Sequence, residues 1–196
     1  GLPARRVIRE IAFGDAPDRF QRLDGVEVRI VMDDGRPAGV GEKGMIHVRG
    51  ANVMSGYLRN PEATAAALDA EGWSHTGDQA RRDENGFFYI AGRSKDMFIS
   101  GGVNVYPREV ELAFEHAPGV SDIAVFARPD ERWGQRVCAA FVGTADTSSL
   151  QQWADAHLHP ARRPKEYHRV DSIPRSPTGK IRYRFLAQEL GLEPPA

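Results

Sequence analysis

Hydrophobic and polar residues alternate along the first half of the chain in the way that is typical of half-buried strands. From Val26 to Met32 every second residue is hydrophobic, which predicts a strand. The same reasoning predicts a second strand at 45–49 and a hairpin whose strands, 79–83 and 87–91, flank a turn at 84–86.

One helix is predicted in this half of the chain, and it begins after Asn60. Asn is a good N-cap, Pro61 suits the first helical position, and Glu62 lies near the positive end of the helix dipole. The helix is expected to run through Leu68. The later sequence Thr76-Gly77-Asp78 is expected to form a turn between this helix and the hairpin.

After Arg93 the pattern changes to alternating strands and helices. Strands are predicted at 97–99, 120–128, 136–143 and 167–170. Gly101 and Gly102 are expected to form a tight turn, and the residues up to Tyr106 a loop ahead of a helix. Helices are predicted to begin at Pro107, at a cap formed by Ser148 or Ser149, and at Lys180, the last of them ending at Leu190.

The hydrophobic positions of these helices predict their buried faces. The expected core positions are Val110, Leu112 and Ala113 in one helix, and Leu150, Trp153, Ala154 and Leu158 in the next. The pattern as a whole predicts an α+β fold, with an antiparallel β-rich first part and a small α+β second part. The boundary is expected at 94–96, where the absence of a Gly/Ser-rich linker favours a hinge over a loose tether.

Composition excludes several classes of function. The chain has 196 residues and a formal net charge of −1, so it lacks the basic surface that general nucleic-acid binding needs. Its single cysteine, Cys138, lies in a hydrophobic run and is interpreted as a small core residue, which excludes an intrachain disulfide. The six histidines show no metal-binding spacing.

No signal peptide and no apolar run of about 18 residues is present in the sequence, so a cytoplasmic protein without a transmembrane segment is expected. The first residue is Gly1 rather than Met, and the natural start is therefore expected upstream.

Lys180 is the first candidate for chemistry. It follows the turn sequence Pro177-Thr178-Gly179, which holds a cationic side chain on a rigid support. When a carboxylate approaches the α-phosphate of ATP, both partners are anionic, and a positioned ammonium group lowers that barrier. The alternative is a surface lysine at the start of a helix.

Asp78 is the second candidate. A carboxylate can accept hydrogen bonds from both hydroxyls of a vicinal diol. Arg93 lies fifteen residues later at the far end of the predicted hairpin, which brings it close to Asp78. Such a pair suits a ribose, but a turn residue and an ordinary salt bridge explain the same sequence.

Two further features are weaker. The paired glycines Gly101 and Gly102 would allow a thin ligand such as a pantetheine arm to pass close to the backbone, or they serve a turn alone. The cationic cluster at 161–165 would suit the phosphates of a CoA nucleotide, or it is a solvated patch.

Four stretches of the chain resemble, in order and spacing, the C-terminal third of the adenylate-forming superfamily, which includes acyl-CoA synthetases, luciferases and peptide-synthetase adenylation domains. The stretches are 56–64, 72–78, 92–111 and 174–182, and the resemblance extends over roughly residues 24–190. The sequence at 99–111 is most similar to acyl- and aryl-CoA synthetases.

The resemblance implies roles for individual residues. Asp78, with Arg93 and Thr76, would hold the ribose of ATP or AMP, and Lys180 would drive adenylation. Lys95 matches the hinge position about which the small domain of the family turns. That turn would bring Gly101 and Gly102 to the active site for attack by a thiol. The residues that match positions of CoA contacts are Trp133, Arg163 and Lys165, although Ala161 replaces an aromatic residue that is common in the family.

The resemblance also implies what this sequence lacks. The phosphate-binding loop and the acid pocket of the family are expected upstream and are absent here. Residues 1–93 would therefore be the β-rich end of the large AMP-binding domain, 94–96 the hinge, and 97–196 the small mobile C-terminal domain. The partner of this chain would be the missing large domain, in the same chain or a separate one.

The implied function is that of an acid–thiol ligase which uses ATP, with Mg²⁺ bound to it through ligands outside this chain, to activate a carboxylic acid for transfer to coenzyme A. One alternative is a non-catalytic or split-partner module that retains the small domain. Another is an adenylation domain that loads the thiol of a carrier protein instead of coenzyme A.

Overall fold

The computed structural model describes residues 19–20 and 24–192. Two compact units divide the chain between Lys95 and Asp96. Their strands and helices confirm the predicted α+β class. Part of the expected domain at 1–93, namely residues 1–18 and 21–23, lies outside the described residues. Among the residues that are described, no helix is long and apolar enough to cross a membrane.

The first unit is built on one antiparallel sheet of five strands. These are β1 (Arg19–Phe20), β2 (Val26–Val31), β3 (Lys43–Gly50), β4 (Ser74–Arg82) and β5 (Phe88–Arg93), in the order β1-β5-β4-β3-β2. One face of the sheet carries the hydrophobic core, which contains Phe20, Ile30, Ile46, Ala80 and Phe88. The strand at Val26, the second strand and the hairpin are confirmed, because alternating positions supply this core.

The only helix described in this unit, α1 (Pro61–Ala67), begins as predicted. The side chain of Asn60 accepts a hydrogen bond of 2.9 Å from the backbone N–H of Ala63, and Pro61 occupies the first turn. Leu68 is already extended. The helix therefore ends one residue before the predicted end.

The predicted turn at 76–78 is wrong, because β4 runs through these residues. Met45 of β3 faces Gln79, and His47 faces His75, so three residues of β4 stand opposite Ile46 alone. This irregularity is a bulge, and Gly77 at its centre has φ of +75°, a conformation that glycine adopts without strain. The turn-forming residues bend the strand, but β4 pairs with β3 both before and after the bulge, and this pairing keeps it in the sheet.

The second unit contains a three-stranded sheet and a separate hairpin. The hairpin is formed by β6 (Phe98–Ser100) and β7 (Val103–Val105), and the sheet by β8 (Val120–Asp130), β9 (Gly134–Gly143) and β10 (Glu166–Arg169). The sheet order is β10-β9-β8, with β8 antiparallel and β10 parallel to β9. The strand β7 corrects the prediction of a loop after Gly102.

Both faces of the three-stranded sheet are buried. The helices are α2 (Pro107–Ala113), α3 (Thr147–His157) and α4 (Leu186–Glu189). Val125, Val137 and Ala139 face a core to which α2 and α3 contribute, while Ala124, Cys138 and Ala140 face a second core that contains Leu186 of α4. Neighbouring residues of a strand point to opposite faces, so β8 and β9 serve two cores at once.

Two details of these helices differ from the prediction. The N-cap of α3 is Asp146 rather than Ser148 or Ser149, since its carboxylate accepts a hydrogen bond of 2.9 Å from the backbone N–H of Ser149. In α2 the buried residues are Pro107, Val110 and Glu111, whereas Leu112 and Ala113 are only half-buried.

The helix predicted from Lys180 to Leu190 is also wrong at its start. A 3-10 turn begins only at Tyr183 and leads into the four residues of α4. Gly179 has φ of +75°, and Ile181 makes a β-bridge with Arg175, so the chain at Lys180 is part of a closed turn rather than a helix.

Candidate functional site

Asp78 and Arg93, the two residues predicted to lie close together, are cross-strand neighbours on β4 and β5. The Nε of Arg93 donates a hydrogen bond of 3.0 Å to Oδ1 of Asp78. The two side chains are 14% and 26% exposed, respectively, so the pair is largely shielded but reachable from solvent. The hairpin thereby fixes a carboxylate and a guanidinium at one position of the sheet.

Thr76 serves to hold the bulge that presents Asp78. Its hydroxyl donates a hydrogen bond of 2.8 Å to the carbonyl of Ile46 and accepts one of 3.1 Å from the backbone N–H of Asp78. The single donor proton of the hydroxyl is used within the sheet. The contribution of Thr76 to the pair is therefore positional.

Lys180 lies on a turn that hydrogen bonds close tightly. The backbone N–H of Ser176 bonds the carbonyl of Lys180 at 2.8 Å, and the N–H of Gly179 bonds the carbonyl of Ser176 at 2.8 Å. The hydroxyl of Ser176 accepts a hydrogen bond of 3.2 Å from the N–H of Lys180. The side chain of Lys180 is exposed, so the turn holds its backbone and leaves its ammonium group to solvent.

Three of the residues that match CoA-contact or thiol-site positions lie together in the second unit. The N–H of Gly101 bonds the carbonyl of Trp133 at 3.0 Å, and the Nζ of Lys165 lies 5.3 Å from the centre of the Trp133 ring. A Cβ atom at Gly101 would stand 2.5 Å from Cε3 of Trp133, whereas one at Gly102 would meet nothing within 4 Å. The indole therefore packs on the glycine turn between β6 and β7.

Arg163 is engaged elsewhere in the same unit. Its guanidinium donates to the backbone carbonyls of Leu158 at 2.9 Å and Asp155 at 3.0 Å, and it pairs with the Asp155 carboxylate at 2.8 Å. These bonds satisfy carbonyls at the C-terminal end of α3. Lys165 donates to the carbonyl of Pro160 at 2.9 Å, and burial, followed by the nearby charge of Arg163, lowers its pKa.

Lys95 is exposed and lies in a 3-10 turn, Ser94–Asp96, at the division between the two units. Its match to a hinge remains a prediction.

Sequence reasoning missed two residues beside the candidate groups. Asp130 accepts hydrogen bonds of 2.9 Å from the N–H groups of Arg132 and Trp133, and so fixes the turn that carries the indole. An aspartate directly before a short strand-to-strand turn is a recognisable signal for this, because its side chain can accept hydrogen bonds from N–H groups two and three residues later. The other is Glu111, which is 3% exposed and whose burial raises its pKa to about 7. The spacing of hydrophobic residues along this helix does not predict that a glutamate is buried.

A cluster of Cys138, Glu166 and His168 has ligand atoms within 4.8 Å of one another. The surroundings of this cluster disfavour a metal cation, because the Glu166 carboxylate already pairs with two guanidinium groups, that of Arg128 at 2.8 Å and that of Arg136. Cys138 is fully buried, as its interpretation as a core residue requires, and burial raises the pKa of its thiol to about 12.

Comparison with known proteins connects both units to one group of enzymes. Residues 109–180 match the family described as AMP-binding enzyme C-terminal domain. The chain is 42% identical over 172 residues to 3-[(3aS,4S,7aS)-7a-methyl-1,5-dioxo-octahydro-1H-inden-4-yl]propanoyl:CoA ligase of Rhodococcus jostii (strain RHA1), a match that covers 85% of this chain and 31% of that protein. It is 44% identical over 185 residues to feruloyl-CoA synthase of an Amycolatopsis species, covering 92% of this chain and 36% of the relative.

A solved structure shares the fold as well. The solved structure of o-succinylbenzoate CoA synthetase from Bacillus subtilis, in complex with its acyl-adenylate intermediate, matches with a TM-score of 0.78 at 32% identity. That match covers 83% of this chain and 34% of the other. The chain thus spans about a third of the length of the relatives that it matches.

Proposed function

Because this chain belongs to the adenylate-forming superfamily and corresponds to its C-terminal portion, we propose that it is part of an acid–thiol ligase. In this proposal the enzyme joins a carboxylic acid to AMP with release of pyrophosphate, and then transfers the acyl group to coenzyme A. The names of the matched relatives, which are CoA ligases and synthases, favour coenzyme A over a carrier protein as the acceptor.

The turn that carries Lys180 is the observation on which the proposal rests. Its backbone is closed by hydrogen bonds at both ends while the ammonium group is exposed. In adenylation a carboxylate oxygen attacks the α-phosphorus of ATP, the bond to the leaving pyrophosphate breaks, and negative charge grows on the phosphoryl oxygens. A cation that is held in place before the reaction stabilises this charge without reorganisation.

The pair of Asp78 and Arg93 supports binding of the nucleotide. Oδ1 of Asp78 accepts the Arg93 hydrogen bond, and because the two oxygens of a carboxylate together offer about four acceptor sites, the same group can also accept hydrogen bonds from the hydroxyls of a ribose. We propose that this pair holds the sugar of ATP and of the acyl-adenylate. Mg²⁺ would enter with the ATP, held by ligands outside this chain.

The cluster of Gly101, Trp133 and Lys165 supports the second step. In that step the thiol sulfur of coenzyme A, as thiolate, attacks the acyl carbonyl carbon, and AMP leaves with the electron pair of the broken C–O bond of the mixed anhydride. At Gly102 the turn is open, which lets a narrow pantetheine arm approach the backbone, and Lys165 supplies a positive charge beside the Trp133 ring that covers Gly101. Between the two steps, rotation of the small domain about Lys95 would withdraw the Lys180 turn from the active site and bring the glycine turn to it.

ATP–pyrophosphate exchange, measured with a panel of carboxylic acids, tests the first step. The protein assayed should join this chain to its large domain. We expect Lys180→Ala to lower the exchange rate at least about a hundredfold, because a positioned charge at the reacting phosphate is lost. Lys43→Ala is the matched control, since Lys43 lies on β3 and takes no part in the proposed chemistry.

Retention of exchange in Lys180→Ala at the level of Lys43→Ala would overturn the assignment. The acceptor is identified by supplying coenzyme A or a phosphopantetheinyl carrier protein and measuring thioester formation. Discharge to the carrier protein alone would replace the ligase by an adenylation domain. Absence of exchange with every acid, in a protein that contains both domains, would favour the non-catalytic module.

A further inference from the structure

Glu111 is a buried carboxylate that joins three separate elements of the second unit. It lies on α2, and its Oε1 accepts a hydrogen bond of 2.9 Å from the backbone N–H of Val125 in β8. Its Oε2 accepts a hydrogen bond of 2.9 Å from the hydroxyl of Tyr183. β8 is an edge strand of its sheet, so the N–H of Val125 faces no further strand and Glu111 supplies the missing acceptor.

Tyr183 belongs to the segment that carries Lys180 and follows it by three residues. A second side-chain contact holds the other end of this segment. The guanidinium of Arg175 bonds both carboxylate oxygens of Asp122, each at 2.8 Å, and Asp122 also belongs to β8. The Lys180 turn is therefore tied to the same strand at both ends, once directly and once through Glu111.

The two ties differ in strength. Arg175 and Asp122 are 40% and 36% exposed, and an exposed ion pair contributes little to stability. The bond between Tyr183 and Glu111 is shielded, because Glu111 is 3% exposed. In such surroundings a hydrogen bond is strong and its loss leaves a buried group without a partner. Of the two side-chain ties, the shielded one at Tyr183 is therefore the stronger.

We propose that Glu111, acting through Tyr183, is a positioning residue that holds the Lys180 turn for the adenylation step. The catalytic part of this inference rests on the proposed function, since it assigns Lys180 to that step. The charged groups that face Glu111 are Arg108 on its own helix and Arg175 ahead of the turn, and Asp96 faces Tyr183. None of them replaces the hydroxyl as the link between α2 and the turn.

The first test measures the position of the turn without any assay of activity. Tyr183→Phe removes the hydroxyl and keeps the ring. We expect backbone amide hydrogen exchange of residues 176–182, followed by mass spectrometry on this chain, to accelerate about tenfold in Tyr183→Phe, because the closing bonds of the turn open more often. Tyr167→Phe is the matched control, since it removes a hydroxyl that bonds the Leu150 carbonyl in the same unit.

The second test separates the two half-reactions in the protein that joins this chain to its large domain. We expect Tyr183→Phe to lower kcat for ATP–pyrophosphate exchange about tenfold with little change in the KM for ATP. Thioester formation from a supplied acyl-adenylate should stay within about twofold, because Lys180 takes no part in it. Glu111→Gln keeps an acceptor for Val125 and a partner for Tyr183, and should retain most of the exchange rate.

The outcomes distinguish this inference from the proposed function. If Lys180→Ala leaves the exchange reaction intact, the proposed function fails, while amide exchange still decides whether the turn is held by Tyr183. If Lys180→Ala abolishes exchange but Tyr183→Phe matches Tyr167→Phe in both measurements, the positioning role of Glu111 is overturned. An equal loss of both half-reactions in Tyr183→Phe would also overturn it, since general destabilisation would then explain the effect.

Discussion

The adjacent glycines Gly101 and Gly102 are required for different physical reasons. Gly101 has φ of +55° and Gly102 has φ of +79°, so both adopt a backbone conformation that other residues avoid. Only Gly101 is also pressed against a neighbour, because the ring of Trp133 occupies the space in which a Cβ would lie. The turn between β6 and β7 thereby places a flat aromatic surface directly against the backbone.

The two substitutions to alanine should therefore separate backbone strain from displacement of the ring. We expect Gly102→Ala to lower the free energy of unfolding by about 1–2 kcal/mol through strain alone. Gly101→Ala should cost at least about 1 kcal/mol more, because Trp133 must move. Urea denaturation measures both, and the emission of Trp133, identified by its loss in Trp133→Phe, should shift only in Gly101→Ala. Equal costs and unchanged emission in both variants would contradict this account.

At the scale of elements, α2 carries one ionisable side chain, Glu111, on its buried face. The carboxyl group of Glu111 lies between α2, the edge of β8 and Tyr183, and burial raises its pKa from 4.5 to about 7. A folded state with a raised carboxyl pKa binds the proton more tightly than the unfolded chain does. The associated stability is complete below about pH 4.5 and is lost as the pH rises through 7.

This linkage predicts how the second unit responds to pH. Between pH 5 and pH 8 the wild-type protein should lose up to about 3 kcal/mol of unfolding free energy relative to Glu111→Gln, which has no proton to lose. Chemical denaturation at the two pH values, followed by far-UV circular dichroism, measures the difference. Parallel pH profiles of the two proteins would show that the carboxyl group titrates normally.

Elements that depend on local signals could be predicted, and those that depend on a partner could not. The helix after Asn60 and the hairpin after Asp78 follow from caps and turns that lie within a few residues. The bulge at 76–78 needs β3 beside it, and the segment around Lys180 is held by Asp122 and Glu111 from distant parts of the chain, so the local pattern predicts a turn and a helix instead. The burial of Glu111 depends on Val125 and Tyr183, which no periodicity connects to it.

In the candidate site, too, contacts between neighbouring elements could be predicted from the pattern, whereas contacts between distant stretches of the chain could not. Proximity of Asp78 and Arg93 follows from the length of the hairpin, and the structure has them in contact. The grouping of Gly101 with Trp133 and Lys165 joins three distant stretches of chain, and only the resemblance to a family suggested it. Their roles in binding nucleotide and CoA remain predictions.

At the scale of the molecule, the hydrophobic core is divided unequally between the units. In the part of the first unit that the structure describes there is one small core, of which Phe20, Ile46 and Phe88 are the largest buried side chains. The second unit has two cores on opposite faces of one sheet, and every member of both lies between Phe98 and Leu192. The second unit thus contains all the residues of its own cores.

We therefore expect residues 96–196 to fold when expressed alone. Thermal unfolding by circular dichroism should be cooperative, and amide proton resonances should be dispersed, because a unit of this size with its own core is self-sufficient. Residues 1–95 alone should be less stable, since one small core buries less apolar area. An unfolded 96–196 fragment would mean that its stability depends on the first unit.

The bulge in β4 also fixes which changes in chain length this sheet tolerates. Residues 76–78 stand where β3 has Ile46 alone, so β4 carries two extra residues, an even number. Inside and outside alternate with odd and even positions, and an even insertion preserves that parity: Ser74 and Ala80, on either side of the bulge, are both buried. Loss of Gly77 alone would make the count odd and exchange the faces of every residue on one side. The strand can therefore be lengthened or shortened at this point by two residues without exchanging its faces, whereas a change of one residue cannot be absorbed in this way.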